Sequence, residues 1–523
     1  MQKLSFLRKR LGLLFALVGG ILTSILCSCA DGYDSPNGFD AGVNNSQLEN
    51  PKADSISFIV DASVTRATIK WPLVKGALGY VVTLKNVDDP DNPVVVDEYD
   101  EKMVDGLSIT VPVTEDSKYS FDLKVIGDPD RGNKDAADVI HKDMSTLVPT
   151  FVTIPDGSDI ATWLKEYVEQ HPFPAYDAES PSYDEIAIEL EPNGNYTMSE
   201  AFDFRTQKVT FRGDKIKWPI ITMQGNATFQ TCSGLKMKYL KFDCVESTAT
   251  GLIGMSPSTD DNKLPDSLLV QNQGYTGSKL GKDFYVVKDP IYIADCWVKD
   301  LPSAIVYDNG TKCAWWYLTI KNCIIQQKNT AGKPFINFEK AGIAIKHISL
   351  TDNTLYNIVD AGTYWIRYSN RTSNQTVRVW GDKDATYKTS TTDVINCTLS
   401  KQFSKGKMAN NNHGDNNILT FSRNIFYDCA MVRKWACSDQ GNPTRYFSFN
   451  FWYAMTTPDT ADPTQKDKDG NQFALNLNTE KVFEGSVLQS LDLSQPNGGV
   501  NFRPVDVMVR SNFAGDMRWI LNQ

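Results

Sequence analysis

The stretch KNCIIQQ (residues 321–327) has close relatives along the same chain: TDNTLYN (351–357), INCTLSK (395–401), SRNIFYD (422–428) and SFNFWYA (448–454). Upstream stand IADCWVK (293–299) and, more faintly, KFDCVES (241–247). Each places Asn or Asp before a short run rich in apolar residues. The residues that recur are Asp243, Asn272, Asp295, Asn322, Asn353, Asn396, Asn424 and Asn450, at intervals of 23 to 43 residues. A coil of three short strands and three turns needs about that much chain. One such coil cannot bury its apolar side alone, so coils stack and share a core. The pattern therefore predicts a parallel β-helix. Within it, Asn322, Asn353, Asn396, Asn424 and Asn450 are expected to face inward at one bend, amide bonded to amide from coil to coil, so that buried polar groups find partners. Asp243 and Asp295 are imperfect rungs, because a carboxylate cannot donate.

Strands can be placed from the repeat. Those after the ladder residue include CIIQ and TLYN. Those leading into it include AWWYLTI (314–320), IAIKHISL (343–350) and NNILTFSR (416–423). First strands lie further back: SAIVY (303–307), PFINF (334–338), TYWIRY (363–368), GKMAN (406–410) and VRKWA (432–436). The 43-residue interval holds an insertion near 370–390, between a first and a second strand. Before the repeats, SDIATWLKEYVEQH (158–171) puts Ile160, Trp163, Leu164, Tyr167 and Val168 on one helical face, with Ser158 or Asp159 as N-cap. A stack of strands has an open end, and this helix is expected to cover it.

Residues 54–148 carry shorter, alternating strands. Trp71 lies in an early strand of ATIKWPLVKGALGYVVTLKN (67–86), followed by Tyr80, Val82 and Leu84. KYSFDLKVIG (118–127) alternates Tyr119, Phe121, Leu123 and Val125. The arrangement resembles a fibronectin type III sandwich, with Tyr119 where a tyrosine corner falls. The resemblance implies a spacer or docking module.

The 523 residues carry a net charge of −10, which argues against a nucleic-acid partner. Lys3, Arg8, Lys9 and Arg10 precede an apolar run from Leu11 to Leu26, the form of an export signal. It ends in LCSCADG, where Leu26, Cys27 and Ser28 before Cys29 resemble a bacterial lipobox. That resemblance implies cleavage before Cys29 and lipid on its residue, with an acidic tether CADGYD following. The expected division is a signal peptide at 1–28, a flexible tether at 29–53, the fibronectin-like domain at 54–150, and the β-helix with a C-terminal capping region at 151–523. The fold class is all-β: a sandwich, then a right-handed parallel β-helix with a capping helix at its start. Of the cysteines after Cys29, four (Cys244, Cys296, Cys323 and Cys397) stand one place after a ladder residue. They are read as buried free thiols in a column.

Charge is uneven. Residues 361–455 hold twelve Lys or Arg against six Asp or Glu. On the proposed first strands and the insertion this selects Arg367, Arg371, Lys405, Lys407, Arg433 and Lys434, with Trp365, Tyr368, Trp380 and Trp435 beside them. Coils about 4.8 Å apart would bring such side chains into one strip. Guanidinium groups fork carboxylate or sulfate, and flat rings stack on sugar faces, so the expected ligand is an acidic, pectin-like polysaccharide. The solenoid resembles chondroitinase-B-like and pectate-lyase-like polysaccharide lyases. These abstract a proton beside a uronate with a basic side chain, often with Ca²⁺. The resemblance directs attention to Arg367, Lys407, Arg433, Asp308, Glu339 and His413, but it assigns no catalytic residue. No cofactor is expected outside the lyase reading, where Ca²⁺ would enter. The tail NFRPVDVMVRSNFAGDMRWILNQ (501–523), closing such a chain, resembles surface lipoproteins encoded with pectin-degrading systems. That resemblance implies a lipid-anchored outer-membrane glycan-capture protein at the cell surface, working beside transporter components. A polysaccharide lyase and a non-glycan adhesin or structural lipoprotein are the alternatives.

Overall fold

A computed structural model describes residues 42–521, apart from 62, 174–184, 274–282, 331, 360–363, 370–389, 404–406, 410–416, 430–443, 454–473 and 478–480. The chain divides into two compact units, 1–148 and 149–523.

The first unit pairs two antiparallel sheets. One orders Ser57–Val60, Arg66–Lys70 and Ser108–Pro112. The other orders Val94–Val95, Ala77–Asn86, Lys118–Gly127 and Ile140–Ser145, with Lys102–Val104 also on Ala77–Asn86. Their inward faces bury Trp71, Tyr80, Val82, Leu84, Phe121, Leu123 and Val125. Trp71 meets Tyr80 edge-on at 5.4 Å between centroids and lies 5.9 Å from Phe121. The Tyr119 hydroxyl accepts from the Thr114 amide at 2.8 Å, tying the turn to the strand that follows it.

The second unit is a parallel β-helix, right-handed as parallel crossovers are. The first sheet stacks Phe202–Asp203, Phe229–Thr231, Gly251–Met255, Ala304–Tyr307, Ile336–Phe338, Tyr364–Tyr368 and Lys407–Ala409. The second runs from Thr150–Ile154 and Ile186–Leu190 through Cys313–Lys321, Ala344–Thr351, Ser390–Ile395 and Asn417–Ser422 to Thr444–Ser448. The third includes Ile324–Gln327, Thr354–Asn357, Thr398–Ser400, Ile425–Tyr427 and Phe451–Tyr453. First, second and third strands therefore fall where the repeat placed them, with VRKWA outside the described residues. The insertion is flanked by a first-sheet and a second-sheet strand, and its own residues 370–389 are likewise not described.

The ladder differs from expectation by one residue in three coils, those of Asp295, Asn322 and Asn396. The bend between second and third sheets is made by a residue with positive φ: Tyr239, Asp295, Asn322, Asp352, Asn396, Arg423 and Phe449. The residue after each turns inward, so the buried column reads Leu240, Cys296, Cys323, Asn353, Cys397, Asn424, Asn450. Asn322 and Asn396 are thus bend residues with outward amides, and only Asn353, Asn424 and Asn450 are rungs. Asp243 lies on the outer side of its strand near Lys299, and Asn272 sits in a short 3₁₀ turn, Val270–Gln273, off the sheets. The coil between Leu240 and Cys296 is correspondingly long.

Each rung reaches back to the carbonyl three residues before the rung of the preceding coil. Asn353 Nδ2 donates to Ile320 O (2.8 Å), Asn424 to Val394 O (2.7 Å) and Asn450 to Phe421 O (2.8 Å). The thiols of Cys296, Cys323 and Cys397 point at Met237, Ile293 and Leu350 carbonyls in the same way. Asn Oδ1 also accepts from the backbone of that same preceding coil: Cys323 N to Asn353, Cys397 N to Asn424 and Asn424 N to Asn450, at 2.9–3.1 Å. Cysteine and asparagine share the column because both fill the slot and both can donate to that carbonyl. The seven described cysteines after Cys29 are buried and free, and burial pushes the Cys397 thiol up to about 12. They are packing groups rather than nucleophiles.

The helix Ile160–Gln170 follows the first strand of the second sheet and buries Ile160, Ala161 and Leu164 on the end of the core. Asp159 is its N-cap, accepting from the Thr162 amide at 3.0 Å. The described residues from 481 to 521 pack on the side of the β-helix. They run back along the outer face of the third sheet, where Phe483, Leu491, Leu493, Phe502 and Trp519 cover Ile324, Tyr356, Ile425, Phe451 and Tyr453. The tail motif fastens this strap. Asp516 is fully buried, accepts from Thr354 Oγ1 (2.7 Å), and pairs with Arg518 (3.1 Å). Arg518 also donates to the backbone and side-chain oxygens of Asn322 (2.9 and 2.6 Å), and Trp519 Nε1 to Thr354 Oγ1 (2.7 Å). Gly515 has φ +96°, and a Cβ there would stand 2.7 Å from Ile425 Cδ1. The outward bend amides misread as rungs thus serve the strap: Asn322 holds Arg518, and Asn396 donates to Phe513 O at 2.7 Å.

Candidate functional site

The basic strip does not form along the first sheet in the described coils. The outward file there reads Gln230, Gly254, Tyr307, Asn337, Arg367. Tyr307 folds over Gly254, whose missing side chain leaves room for the ring. Arg367 is the file's one cation, and it is paired with Glu339 at 3.1 Å and lies over the Tyr364 ring. Lys407 stands opposite Tyr364, three positions from Arg367, so it is not the next step of that file. Trp365 and Tyr368 are buried and belong to the core. Trp365 stacks between Phe335 and Phe403 in neighbouring coils, and the Tyr368 hydroxyl accepts from the Ile345 amide. Neither can face a ligand. Asp308 is structural, with one oxygen accepting from the amides of Ala341 and Gly342, both at 2.7 Å. Arg371, Trp380, Lys405, Arg433, Lys434, Trp435, His413 and Cys29 lie outside the described residues. Among the described residues no three His, Cys, Asp or Glu side chains converge as metal ligands would.

A cation–aromatic cluster does form, on the outer face of the second sheet. Val287 pairs with Trp315 and Trp315 with Ile345, so Lys288, Trp316 and Lys346 follow in one column across three coils. Lys346 Nζ stands 4.3 Å from the Trp316 ring centroid and Lys288 Nζ 5.6 Å. One position on, Tyr317 and His347 stack at 5.0 Å with planes 17° apart, and Trp316 lies 6.2 Å from Tyr317. His347 Nδ1 is 3.0 Å from Thr391 Oγ1, on the strand that follows the insertion. Lys288 and Tyr317 are exposed, Trp316 and His347 partly so, and Lys346 is buried.

Burial lowers the Lys346 ammonium to about 8. Burial, and then the Lys346 charge, push His347 down to about 4, so the imidazole is neutral at physiological pH. The cluster therefore joins two ammonium groups, a neutral imidazole and two aromatic rings on one surface. It suits an anionic ligand with an apolar face. Sequence reading missed it by scoring charge along the chain. Aligning the repeats on Cys323 and Asn353 puts Lys346 at the place of Trp316 and His347 at that of Tyr317, which would have shown the cluster.

Comparison with known proteins gives two family matches. Residues 1–193 match DUF4992, a domain of unknown function, and residues 194–358 match DUF4957, another. Their junction falls inside the β-helix rather than between the two compact units. No curated protein matches. Among solved structures, the family 28 exopolygalacturonase of Yersinia enterocolitica is similar at 10% identity and a TM-score of 0.18, over 78% of this chain and 80% of that one.

Proposed function

We propose that this chain is a surface glycan-binding lipoprotein that holds an acidic, pectin-like polysaccharide for degradation and uptake. The observation that carries the reading is the Lys288–Trp316–Lys346 column beside the Tyr317–His347 stack. A uronate chain offers both matching elements, a carboxylate on each residue and a C–H face on each ring. The fibronectin-like unit would be the spacer, lipid on Cys29 the outer-membrane anchor, and transporter components the neighbours. Contacts repeated along a polymer add through avidity.

The test is affinity electrophoresis through a gel containing polygalacturonate. The wild-type chain is expected to be retarded. Lys288→Ala with Tyr317→Ala, both at exposed positions, should weaken binding about 100-fold, near tenfold for each group removed. Retardation should also fall as pH rises through 8, because the Lys346 charge is present below that value and lost above it. Unchanged retardation of the double variant would overturn the site, and no retardation with any glycan would favour the adhesin reading.

The anchor has its own check. Cys29→Ala should move the protein from the membrane to the soluble fraction, and an unaltered membrane fraction would rule the lipid out.

The lyase reading draws on one observation: a buried amine near pH 8 beside a stacked phenol and imidazole is the composition of a proton-abstracting site. It requires an ultraviolet-absorbing unsaturated product from polygalacturonate that disappears in Lys346→Met. Steady absorbance with the wild-type chain excludes it for that substrate.

A further inference from the structure

The strap covers the first coils of the third sheet only in part, for Ile220 and Trp297 pack against its cluster and still stay partly exposed. From Ile324 onward the outer column of that sheet packs under the C-terminal residues. Before Ile324 the column reads Ile220, Lys241, Trp297, all partly exposed. Trp218, just ahead of Ile220, meets Trp297 at 5.5 Å with planes 61° apart. The bend residue Tyr239 lies 6.2 Å from Trp218, its ring tilted by 54°. The Trp218 indole N–H is satisfied by Lys215 O at 2.9 Å, which fixes the ring's orientation.

Over this aromatic floor stands an ammonium: Lys241 Nζ is 5.0 Å from the Trp297 ring centroid. Its nearest carboxylate in sequence, Asp243, engages Lys299 instead, at 3.8 Å. Among the described residues no Asp or Glu pairs with Lys241. Partial burial lowers its pKa, as expected of a cation that has lost water without gaining an anion. Structural lysines of the same solenoid are arranged differently: Lys236 meets Glu185 at 2.9 Å and Lys208 meets Asp289 at 2.9 Å.

We propose that Trp218, Tyr239, Lys241 and Trp297 form a second saccharide platform, for a pyranose ring bearing a carboxylate. The C–H face of the ring rests on the indoles and the carboxylate meets the Lys241 ammonium. The site lies on a different sheet from the Lys288–Trp316–Lys346 column and shares no residue with it. It stands or falls independently of that column. A polymer engaged at both faces would bind more tightly than either site accounts for.

The experiment uses the full soluble chain carrying Lys288→Ala and Tyr317→Ala, labelled with 5-fluorotryptophan, and tetragalacturonate as probe. The Trp218 fluorine resonance is assigned by its loss in Trp218→Phe. Tetragalacturonate is expected to shift this resonance, and neutral maltotetraose to shift it far less. Adding Lys241→Gln should weaken the tetragalacturonate response about tenfold while leaving the maltotetraose response as it was. A Trp218 resonance unmoved by tetragalacturonate at millimolar concentration overturns the proposal. So does an equal response in Lys241→Gln, which would remove the role of charge. Because the second-sheet column is disabled throughout, neither result bears on it.

Discussion

Replacing Asp516 by Ala is expected to loosen the C-terminal strap by about 3–5 kcal/mol, the cost of removing one partner from a buried pair. The carboxylate is fully buried and takes hydrogen bonds from Thr354 Oγ1, the Arg518 amide and the Arg518 guanidinium. Without it, Arg518 keeps Asn322 but loses its counter-charge, and Thr354 loses the acceptor that orients it toward Trp519. Hydrogen exchange across 482–521 is the measurement, because the strap can open without unfolding the coils beneath it. Strap amides that stay as protected as in the wild type would show that apolar packing alone holds it.

The same carboxylate makes the strap sensitive to pH. Burial pushes Asp516 up to about 6 from an ordinary 3.8, against the opposing pull of Arg518 and Thr354. Between those values the folded chain holds a proton that the unfolded chain has released. This residue's contribution is therefore greatest at the acid end and declines as pH rises to about 6. Asp516→Asn should flatten that slope while costing less than the Ala variant.

The second large effect is expected at Asn424. Its side chain donates to Val394 O, accepts from Cys397 N, and donates to Asn450 Oδ1 at 2.9 Å. Asn424→Ala strands a buried carbonyl and a buried amide between coils. At about 1–3 kcal/mol for each group left without a partner, the loss should reach about 3–4 kcal/mol. Asn396→Ala, at the outward bend position one residue out of register, should cost no more than about 1 kcal/mol, since water can replace its bond to Phe513 O. Urea unfolding of the two variants, compared by midpoint, checks the contrast. Equal losses would mean that the column has been assigned to the wrong residues.

That contrast shows how far the repeat could be read. Asparagine suits both positions at this bend. It tolerates positive φ better than most residues, and its amide can satisfy backbone groups in a dry core. NC at 322–323 and 396–397 and DN at 352–353 therefore give the same coarse signal from different registers. Cysteine was the clue, because it occupies the rung wherever asparagine occupies the bend. The apolar spacing placed the strands of all three sheets correctly, since every coil must present its inward side chains to the same core.

The site was less legible. Trp365 and Tyr368 sit in a strand with alternating composition, and which face is inward depends on a one-residue choice. Arg367 looked like one member of a strip because Glu339, its partner, is in the preceding coil. Lys288, Trp316 and Lys346 are spread over 59 residues of sequence and become neighbours only when three coils are set in register. The tail motif gave no sign of its contacts, because its partners lie more than a hundred residues away.

The sequence by itself determined that the chain winds into a stack of coils with a helix over its first end. Apolar periodicity and a recurring bend are local demands, repeated often enough to be unambiguous. Only the tertiary structure decided which surface carries cations beside rings and where the last forty residues go. Both depend on pairings between coils, and sliding one strand by a single residue exchanges what the core receives for what the solvent receives.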